Sequence, residues 1–177
     1  MAHVLTADEW DALPDTSGLE LIDGVVHAVP SPTLRHERVK ARLRNCLEDL
    51  LPPELGVSTE IEVRISHTHR RRPDVLVFLV SGVNDDTWAF EPGQVVFAAE
   101  IVSPGSETID RKHKPIEYAD AGILHYWRVE TKPVVGVHTS RLGETGGYVE
   151  TGLFRQGDRI SDPTLRWASF DVGDLLP

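Results

Sequence analysis

Two carboxylates stand where the sequence predicts buried strands. Asp74 opens the apolar run 75–80, and Glu100 lies inside the apolar run 95–102. Such runs are typical of strands covered on both faces, where an ionised carboxylate is unfavourable unless it is paired or binds a metal. If the two strands are neighbours, the two side chains converge on one edge of the sheet. Two carboxylates and a backbone carbonyl there would form an all-oxygen site suited to Mg²⁺ or Mn²⁺.

Each carboxylate also has a simpler interpretation. Asp74 follows Pro73, and a Pro-Asp pair is common in the turns that lead into strands. Glu100 would face solvent if its strand lay at the edge of the sheet, or it would pair with an arginine such as Arg64. The residue pattern alone leaves these interpretations open.

Local patterns predict the elements that must position these side chains. Thr6 and Glu9 have the spacing of a capping box and predict a short helix, and Asp23-Gly24 between apolar runs predicts a β-hairpin. The predicted helices are 7–13, 33–51 and 108–121. The predicted strands are 19–22, 25–29, 57–65, 75–80, 95–102, 124–129, 134–139, 148–153 and a last pair around 165–170, while 67–72 is predicted to be a polar, basic loop.

The order of these elements is helix, hairpin, helix, mixed strands, helix and strands. This order predicts an α/β fold in which a mixed sheet has a helix on each face. A length of 177 residues suits one domain, and we expect a single domain over 1–177.

The composition excludes several classes of protein. With 40% hydrophobic and 26% charged residues, the chain has the composition of a soluble globular protein. The net charge of −10 argues against non-specific binding to nucleic acid, which depends on Lys and Arg. The single cysteine, Cys46, excludes an intrachain disulfide, and no run approaches the roughly 18 apolar residues of a membrane span. We therefore expect a cytoplasmic protein without membrane contact.

Motifs of several residues surround both carboxylates and extend along the chain. They are Glu20-Leu-Ile-Asp-Gly24, Ser31-Pro-Thr-Leu-Arg-His36, Arg72-Pro-Asp-Val-Leu-Val77, Ala99-Glu-Ile-Val-Ser-Pro104, Asp110, Lys114, Tyr118, Ala121-Gly122 and Tyr126-Trp127. Over roughly residues 4–170 they resemble the Uma-two family of the PD-(D/E)xK nuclease superfamily, whose members are inferred to be restriction endonucleases. The resemblance implies a restriction-endonuclease-like core, with a central mixed sheet flanked by helices, an N-terminal hairpin and extra C-terminal strands.

The resemblance also implies a set of site residues. Asp74 and Glu100 match the metal ligands of the family, and the backbone carbonyl of Ile101 would complete the ligand set for Mg²⁺ or Mn²⁺. The parent pattern has a lysine two residues after the glutamate, where this chain has Val102. Because an aliphatic side chain cannot stabilise developing negative charge, the lysine must come from elsewhere in the fold.

Two lysines compete for this role. The resemblance implies that Lys114, on the following helix, supplies the ammonium group. On a straight helix, however, Lys112 falls nearer the apolar stripe, and Lys114 has salt-bridge spacing to Asp110. Pro115 fits the first turn of a helix better than its interior, so the regular helix is expected to start near Lys114.

Two further residues match the family near the N-terminus. Glu20 would complete the metal site or orient a ligand, although a strand residue before a tight turn is often solvent-facing. His36 would contact a phosphate or act as an acid or base, but a local hydrogen bond at the helix terminus explains it equally well. Glu60 or Glu62 would be a further acidic ligand, or simply an exposed residue of an alternating strand.

Arg70, Arg71 and Arg72 immediately precede Pro73-Asp74. Three arginines beside a metal site would hold a polyanionic backbone, so we interpret them as phosphate contacts. The alternative is the solvated tip of a hairpin, which is the usual environment of a charged run.

The function that follows from the resemblance is that of a metal-dependent endonuclease, a hydrolase of phosphodiester bonds in DNA. Apolar surface on the later strands would make it a homodimer, so that two sites address two strands. Two alternatives remain. The fold would serve as a catalytically inactive module that binds nucleic acid or protein, or the site would hydrolyse a small phosphate ester.

Overall fold

The computed structural model describes residues 4–176. Its helices are α1 (Ala7–Asp11), α2 (Leu34–Glu48) and α3 (Lys114–Asp120), and the π-helical segment Ile109–His113 leads directly into α3. Its strands are β1 (Leu19–Ile22), β2 (Val25–Ala28), β3 (Leu55–Ser58), β4 (Glu62–Ser66), β5 (His69–Arg71), β6 (Val75–Leu79), β7 (Ala89–Phe90), β8 (Val95–Val102), β9 (His125–Glu130), β10 (Gly136–Leu142) and β11 (Tyr148–Arg155). Between residues 4 and 176, no helix combines the length and apolar character needed to cross a membrane.

The strands form two mixed sheets. A six-stranded sheet has the order β11-β10-β9-β8-β6-β3, and a five-stranded sheet has the order β2-β1-β5-β4-β7. Within the larger sheet β8 runs parallel to β9 and antiparallel to β6. The predicted α/β fold with a mixed sheet flanked by helices is confirmed, and the strands are divided between two sheets instead of one.

The larger sheet is covered on both faces, which explains its continuous apolar runs. On one face, Val39, Leu43 and Leu47 of α2 are fully buried in a core that also contains Trp127. On the opposite face, Tyr118 of α3 packs in a second core that includes residues of both sheets. The central strands β6 and β8 therefore lie between two apolar layers.

Local chemistry explains the N-terminal elements. Thr6 caps α1, and the reciprocal capping box with Glu9 is present as predicted. The turn between β1 and β2 places Asp23 at φ 51° and Gly24 at φ 75°, the left-handed conformations that a two-residue hairpin turn requires. The Asp23-Gly24 hairpin is confirmed.

The single strand predicted over 57–65 is wrong. Its first part belongs to β3 in the larger sheet, and its second part belongs to β4 in the smaller sheet. Between them Glu60 has φ 55°, and its N–H donates to the carbonyl of Pro73 at 3.1 Å. A left-handed residue breaks the pleat, so the chain changes sheet although the alternation of residue types continues.

Two other predicted segments differ from the structure. Residues 69–71 are not part of a loop but form β5, which pairs with both β1 and β4. The strands predicted around 165–170 are absent from the described residues, where only an isolated bridge joins Arg159 to Asp171. Leu165 and Phe170 are nevertheless buried in the core, so their apolar character reflects packing and not strand pairing.

Candidate active site

A cleft opens beside the N-terminal end of α2, with a cavity volume of about 340 Å³. The β1–β2 hairpin contributes Gly18 and Val29 to one wall, and the turn after β8 contributes Ser103 and Ser106. Its charged lining residues are Glu20, His36, Glu60, Arg72, Asp74, Glu100, Asp110 and Lys114. The cleft therefore contains five carboxylates against three basic side chains.

Asp74 and Glu100 converge because their strands are neighbours. In the antiparallel pair of β6 and β8, Val75 lies opposite Ala99. Asp74 precedes β6 directly, and its Oδ2 accepts a hydrogen bond from the Ile101 N–H at 2.7 Å. Both carboxylates consequently line the same cleft, as the sequence predicted for adjacent strands.

Glu100 is buried, with 1% of its surface exposed, yet it is surrounded by polar groups. Tyr118 Oη donates to its Oε1 at 2.7 Å, and Lys114 Nζ donates to its Oε2 at 2.8 Å. Burial raises the pKa of Glu100 well above its usual value, and the charges of Asp74 and Asp110 act in the same direction against the opposing Lys114. Negative charge at Glu100 is therefore under-compensated within the protein.

Lys114 is the lysine that reaches the carboxylates. Its Nζ lies 2.8 Å from Glu100 Oε2 and 3.3 Å from Asp110 Oδ1. Burial opposes the charged form, but the carboxylates of Glu100 and Asp110 raise the pKa of Lys114 above its usual value, so that it stays an ammonium ion. Lys112 is exposed and does not line the cleft. The choice that the sequence left open thus has a geometric answer.

The π-helical segment explains why Lys114 and not Lys112 points inward. The backbone N–H of Lys114 bonds to the carbonyl of Ile109, five residues earlier, which inserts one residue into the turn. Pro115 follows at the start of α3, where its missing N–H is tolerated. As a result Asp110, Lys114 and Tyr118, at successive spacings of four, are all buried around Glu100.

His36 is directed at Asp74. Its Nε2 lies 3.0 Å from Asp74 Oδ2, and its Nδ1 lies 3.2 Å from Glu37 Oε1. Burial tends to raise the pKa of Asp74, but the hydrogen bond and charge of His36 outweigh it and lower that pKa. Burial tends to lower the pKa of His36, but its hydrogen bond with Asp74 raises that pKa. The interaction holds Asp74 ionised and fixes the direction of its carboxylate.

Glu20 lines the cleft but is already paired. Its Oε2 accepts from Arg71 Nη1 at 2.6 Å, and its Oε1 accepts from the Arg72 N–H at 3.2 Å. It is buried and not solvent-facing, so the simpler interpretation of a surface strand residue is wrong. Glu60 lies on the rim and pairs with Lys40 at 2.9 Å.

The structure contradicts the phosphate contacts predicted for Arg70 and Arg71. Both side chains point into the protein, with only 3% and 2% of their surface exposed. Arg70 pairs with Glu62, which is itself buried and accepts from the indole of Trp10. A phosphate in solution cannot reach guanidinium groups that carboxylates already enclose. Carboxylates on the neighbouring strands β1 and β4 and on α3 determine this arrangement, and they are not adjacent in the sequence.

Arg72 is the exception in this run. It lines the cleft, is partly exposed, and donates to Thr16 Oγ1 at 2.6 Å. Its second partner is Glu62 at 3.5 Å. A contact between Arg72 and a phosphate in the cleft stays a prediction.

Sequence reasoning gave Tyr118 no role and noted Asp110 only for its salt-bridge spacing to Lys114, which the structure confirms. Both contact the site directly, Tyr118 through Glu100 and Asp110 through Lys114. The spacing of four residues on each side of Lys114 was the available signal, because such residues share one face of a helix.

The donor set fits a hard divalent cation. Oδ1 of Asp74 has no hydrogen-bond partner among the described residues, and the carboxylates outnumber the cations around Glu100. Mg²⁺ commonly binds proteins through one or two carboxylates and completes its shell with water and substrate phosphates. Across residues 4–176 no three or more His, Cys, Asp and Glu side chains group closely enough to hold a metal by themselves. Asp74 and Glu100 would therefore need backbone, water or substrate oxygens as additional ligands.

Comparison with known proteins identifies the family of the chain and a solved structure with a similar fold. Residues 7–173 match the model of the Uma2 (Uma-two) family, described as "Putative restriction endonuclease". The fold is similar to the crystal structure of "a putative nuclease belonging to DUF820" from Anabaena variabilis, with a TM-score of 0.77, 18% sequence identity and 97% of each chain covered. At this identity the likeness shows the fold. No curated protein matches the chain.

Proposed function

Since the chain belongs to the Uma2 family, we propose that it is a metal-dependent endonuclease that hydrolyses phosphodiester bonds in DNA. The observation that carries this proposal is the contact of Lys114 Nζ with Glu100 Oε2 at 2.8 Å. The parent pattern requires a lysine beside this glutamate, and Val102 occupies its usual position. An ammonium group from the next helix reaches the same carboxylate, which supports the proposed set of Asp74, Glu100 and Lys114.

Asp74, Glu100 and the carbonyl of Ile101 would hold Mg²⁺ or Mn²⁺. Such an ion, when bound, polarises the phosphodiester and lowers the pKa of a coordinated water. The excess of carboxylates around Glu100 supports this assignment, because the protein itself does not supply enough positive charge.

The remaining side chains act by orientation and charge. The ammonium group of Lys114 would position the attacking water or stabilise the negative charge that develops on the phosphate. Tyr118 and His36 hold Glu100 and Asp74 in fixed directions through hydrogen bonds of 2.7 and 3.0 Å. Side chains that orient metal ligands in this way often have large effects on activity.

Hydrolysis of a small phosphate ester is the second candidate function. A cavity of about 340 Å³ lies within the size range of pockets for small ligands, roughly 300–1,000 Å³. The valine at position 102 is the main argument for an inactive module. That argument is weaker because Lys114 supplies an ammonium group to Glu100 instead.

We also propose one domain over 1–177 and a homodimer. The edge strand β11 supports the second point, because Val149 on it is 62% exposed and an edge strand offers unpaired backbone groups. Two copies would present two sites to the two strands of a duplex.

The deciding experiment is metal-dependent cleavage of supercoiled plasmid. Wild-type protein is incubated with Mg²⁺, with Mn²⁺ and with chelator, beside Asp74→Ala and Lys114→Ala. Lys112→Ala is the matched control, because Lys112 belongs to the same segment and is exposed. We expect nicking that requires metal, survives in Lys112→Ala and is lost in the other two variants.

Other outcomes separate the candidates. Hydrolysis of a small phosphodiester without plasmid cleavage would favour the small-ester function. Absence of both cleavage and metal binding in the wild type would contradict the catalytic proposal and leave the family membership unchanged.

A further inference from the structure

We propose that the phosphate backbone of DNA binds along one exposed face of α2, where Arg35, Arg38 and Arg42 form a stripe that starts at the cleft. This inference rests on the proposed function, because it assigns the surface that holds the polymer while Asp74 and Glu100 act on one phosphodiester. We call these three residues the α2 stripe.

The spacing of the α2 stripe places its members on one side of the helix. Residues three, four and seven apart on an α-helix project in similar directions, and α2 extends over 15 residues from Leu34 to Glu48. Seven residues at a rise of about 1.5 Å span about 10 Å, which corresponds to about three base-pair steps of about 3.4 Å along the axis of a DNA duplex. All three side chains are exposed, whereas Val39, Leu43 and Leu47 on the adjoining side of the helix are buried.

The charges of the α2 stripe are not neutralised by carboxylates. Arg35 donates to the backbone carbonyl of Thr131 at 3.4 Å, and Arg42 donates to that of Asp174 at 3.3 Å. Arg38 has no hydrogen bond or ion pair with any residue in the described range 4–176. A carbonyl orients a guanidinium group but leaves its full positive charge available to an anion.

Five arginines outside α2 differ in this respect. Arg64, Arg70, Arg71, Arg111 and Arg128 each lie within ion-pair distance of at least one carboxylate. Arg70 and Arg71, from the run of three arginines before Pro73, are thus neutralised within the protein. The α2 stripe, which is spread over a helix, retains the free charge that phosphate binding requires.

The α2 stripe is continuous with the cleft. Arg35 directly precedes His36, whose Nε2 lies 3.0 Å from Asp74. A backbone that follows the stripe toward the N-terminal end of α2 would therefore arrive at the carboxylates. The helix N-terminus adds partial positive charge at this point.

Local charge also resolves a conflict with the composition. The chain has a net charge of −10, but α2 contains five Lys and Arg residues against two Glu. Polyanion binding depends on local density of positive charge and not on the total. An acidic protein with one basic helix face would bind DNA in a defined orientation and repel it elsewhere.

The test uses two variants with equal loss of charge. The stripe variant combines Arg35→Gln, Arg38→Gln and Arg42→Gln. The control variant combines Arg141→Gln, Arg155→Gln and Arg166→Gln, three exposed arginines that form no ion pair among the described residues and lie outside α2.

Binding of a fluorescein-labelled DNA duplex is measured by anisotropy, with chelator present and over a series of salt concentrations. The binding constant falls as salt rises, and each lost phosphate contact reduces the magnitude of this negative slope of log K against log salt by about 0.9. We expect the magnitude of the slope to be smaller by about 2.7 in the stripe variant and unchanged from the wild type in the control variant. Arg38→Gln alone breaks no hydrogen bond or ion pair among residues 4–176 and should reduce the magnitude of the slope by about 0.9.

Two results would overturn the proposal: absence of DNA binding by the wild type, or equal weakening in the stripe and control variants. Mn²⁺-dependent hydrolysis of bis(p-nitrophenyl) phosphate tests the catalytic proposal separately, because this diester is too small to reach the stripe. We expect the stripe variant to keep this activity. Loss of hydrolysis in the wild type with intact, stripe-dependent DNA binding would contradict the catalytic function and support the α2 stripe.

Discussion

Two clusters of buried charge lie close together and differ in the pKa shifts of their carboxylates. In the first, which we call the paired network, Arg71 bonds to Glu20 at 2.6 Å and to Glu117 at 2.6 and 2.8 Å. In the second, the cleft, a single ammonium group of Lys114 faces Glu100 and Asp110. Each cluster places one cation against two carboxylates, but the carboxylates respond differently. Against the effect of burial, hydrogen bonds with His69 and Arg71 lower the pKa of Glu117 in the paired network, whereas burial and the neighbouring acids raise the pKa of Glu100 in the cleft well above its usual value.

This difference separates a structural role from a functional one. A closed network of ion pairs holds strands and helices in register, and removal of one member leaves an uncompensated charge behind. A buried cluster with excess acid is unfavourable unless a cation from solution joins it. Both clusters are rich in charged residues, and the opposite pKa shifts of Glu117 and Glu100 distinguish them.

The largest expected effect is on the paired network. Arg71→Met leaves Glu20 and Glu117 without their guanidinium partner in a buried environment. We expect the free energy of unfolding to fall by about 3–5 kcal/mol, measured by urea denaturation without metal. Arg155→Met, at an exposed position, is the control and should change stability by less than about 0.5 kcal/mol. A loss below about 1 kcal/mol in Arg71→Met would remove the structural role of the network.

The next effect concerns the cleft and its expected cation. Because Mn²⁺ would bind the folded state at Asp74 and Glu100, it should stabilise the wild type by about 2.7 kcal/mol at a concentration 100 times its Kd. Asp74→Asn should abolish this response, while Glu117→Gln in the paired network should retain it. Thermal unfolding with and without Mn²⁺ measures both, and an undiminished response of Asp74→Asn would contradict the assignment.

A smaller effect is expected at acid pH, because it involves one carboxylate of the paired network. Burial opposes ionisation of Glu117, but its hydrogen bonds with His69 and Arg71 lower its pKa from 4.5 to about 2. The folded-state pKa lies below the unfolded one, so Glu117 contributes stability above about pH 4.5 that is lost as the pH falls toward 2.

Urea denaturation of wild type and Glu117→Gln over this pH range checks the acid effect. The wild type should be more stable at neutral pH, and the difference between the two proteins should shrink as the solution is acidified. A difference that stays constant with pH would mean that another property of Glu117 determines its contribution.

The smallest effect should have the opposite sign. Burial raises the pKa of Asp110, and the charge of Asp74 adds to it, although Lys114 and Ser106 oppose the shift. Asp110→Asn removes one negative charge from the cleft, so the metal-free protein should become more stable by up to about 1 kcal/mol. Glu20→Gln removes one negative charge from the paired network and should destabilise it. Equal losses in both variants would erase the distinction between the two clusters.

The elements that the sequence predicts correctly depend on short-range chemistry. The capping box of Thr6 and Glu9 and the turn at Asp23-Gly24 are determined by hydrogen bonds and backbone angles within a few residues. The long helix follows from apolar periodicity and begins after its Thr33 cap. These features require no knowledge of distant partners.

The predictions that failed depend on partners far along the chain. The break at Glu60 is visible only once Pro73 and the two sheets are in place. Arg70 and Arg71 look like a solvent-exposed basic run until Glu20, Glu62 and Glu117 are brought against them. Tertiary pairing, and not local propensity, determines these positions.

The site lies between these two cases. The meeting of Asp74 and Glu100 follows from the assumption that their strands are adjacent, and β6 and β8 are adjacent. The orientation of Lys114 depends on the phase of the helix, which one extra residue in the turn changes. No regular helical pattern predicts such a phase shift, so the sequence could not decide between Lys112 and Lys114 from periodicity.

The phase of this helix makes the protein vulnerable to a small genetic change. Loss of one codon within 109–113 would let the π-helical segment relax to a regular α-helix, and the missing residue would offset the lost π turn, so that later side chains keep their direction. Loss of the exposed Ile116, in the regular helix between Lys114 and Tyr118, would instead turn every later side chain of α3 by about 100°. Tyr118 would then leave Glu100, although it had not been replaced. An in-frame deletion of an exposed residue outside the cleft would act like a substitution of a buried residue in the site.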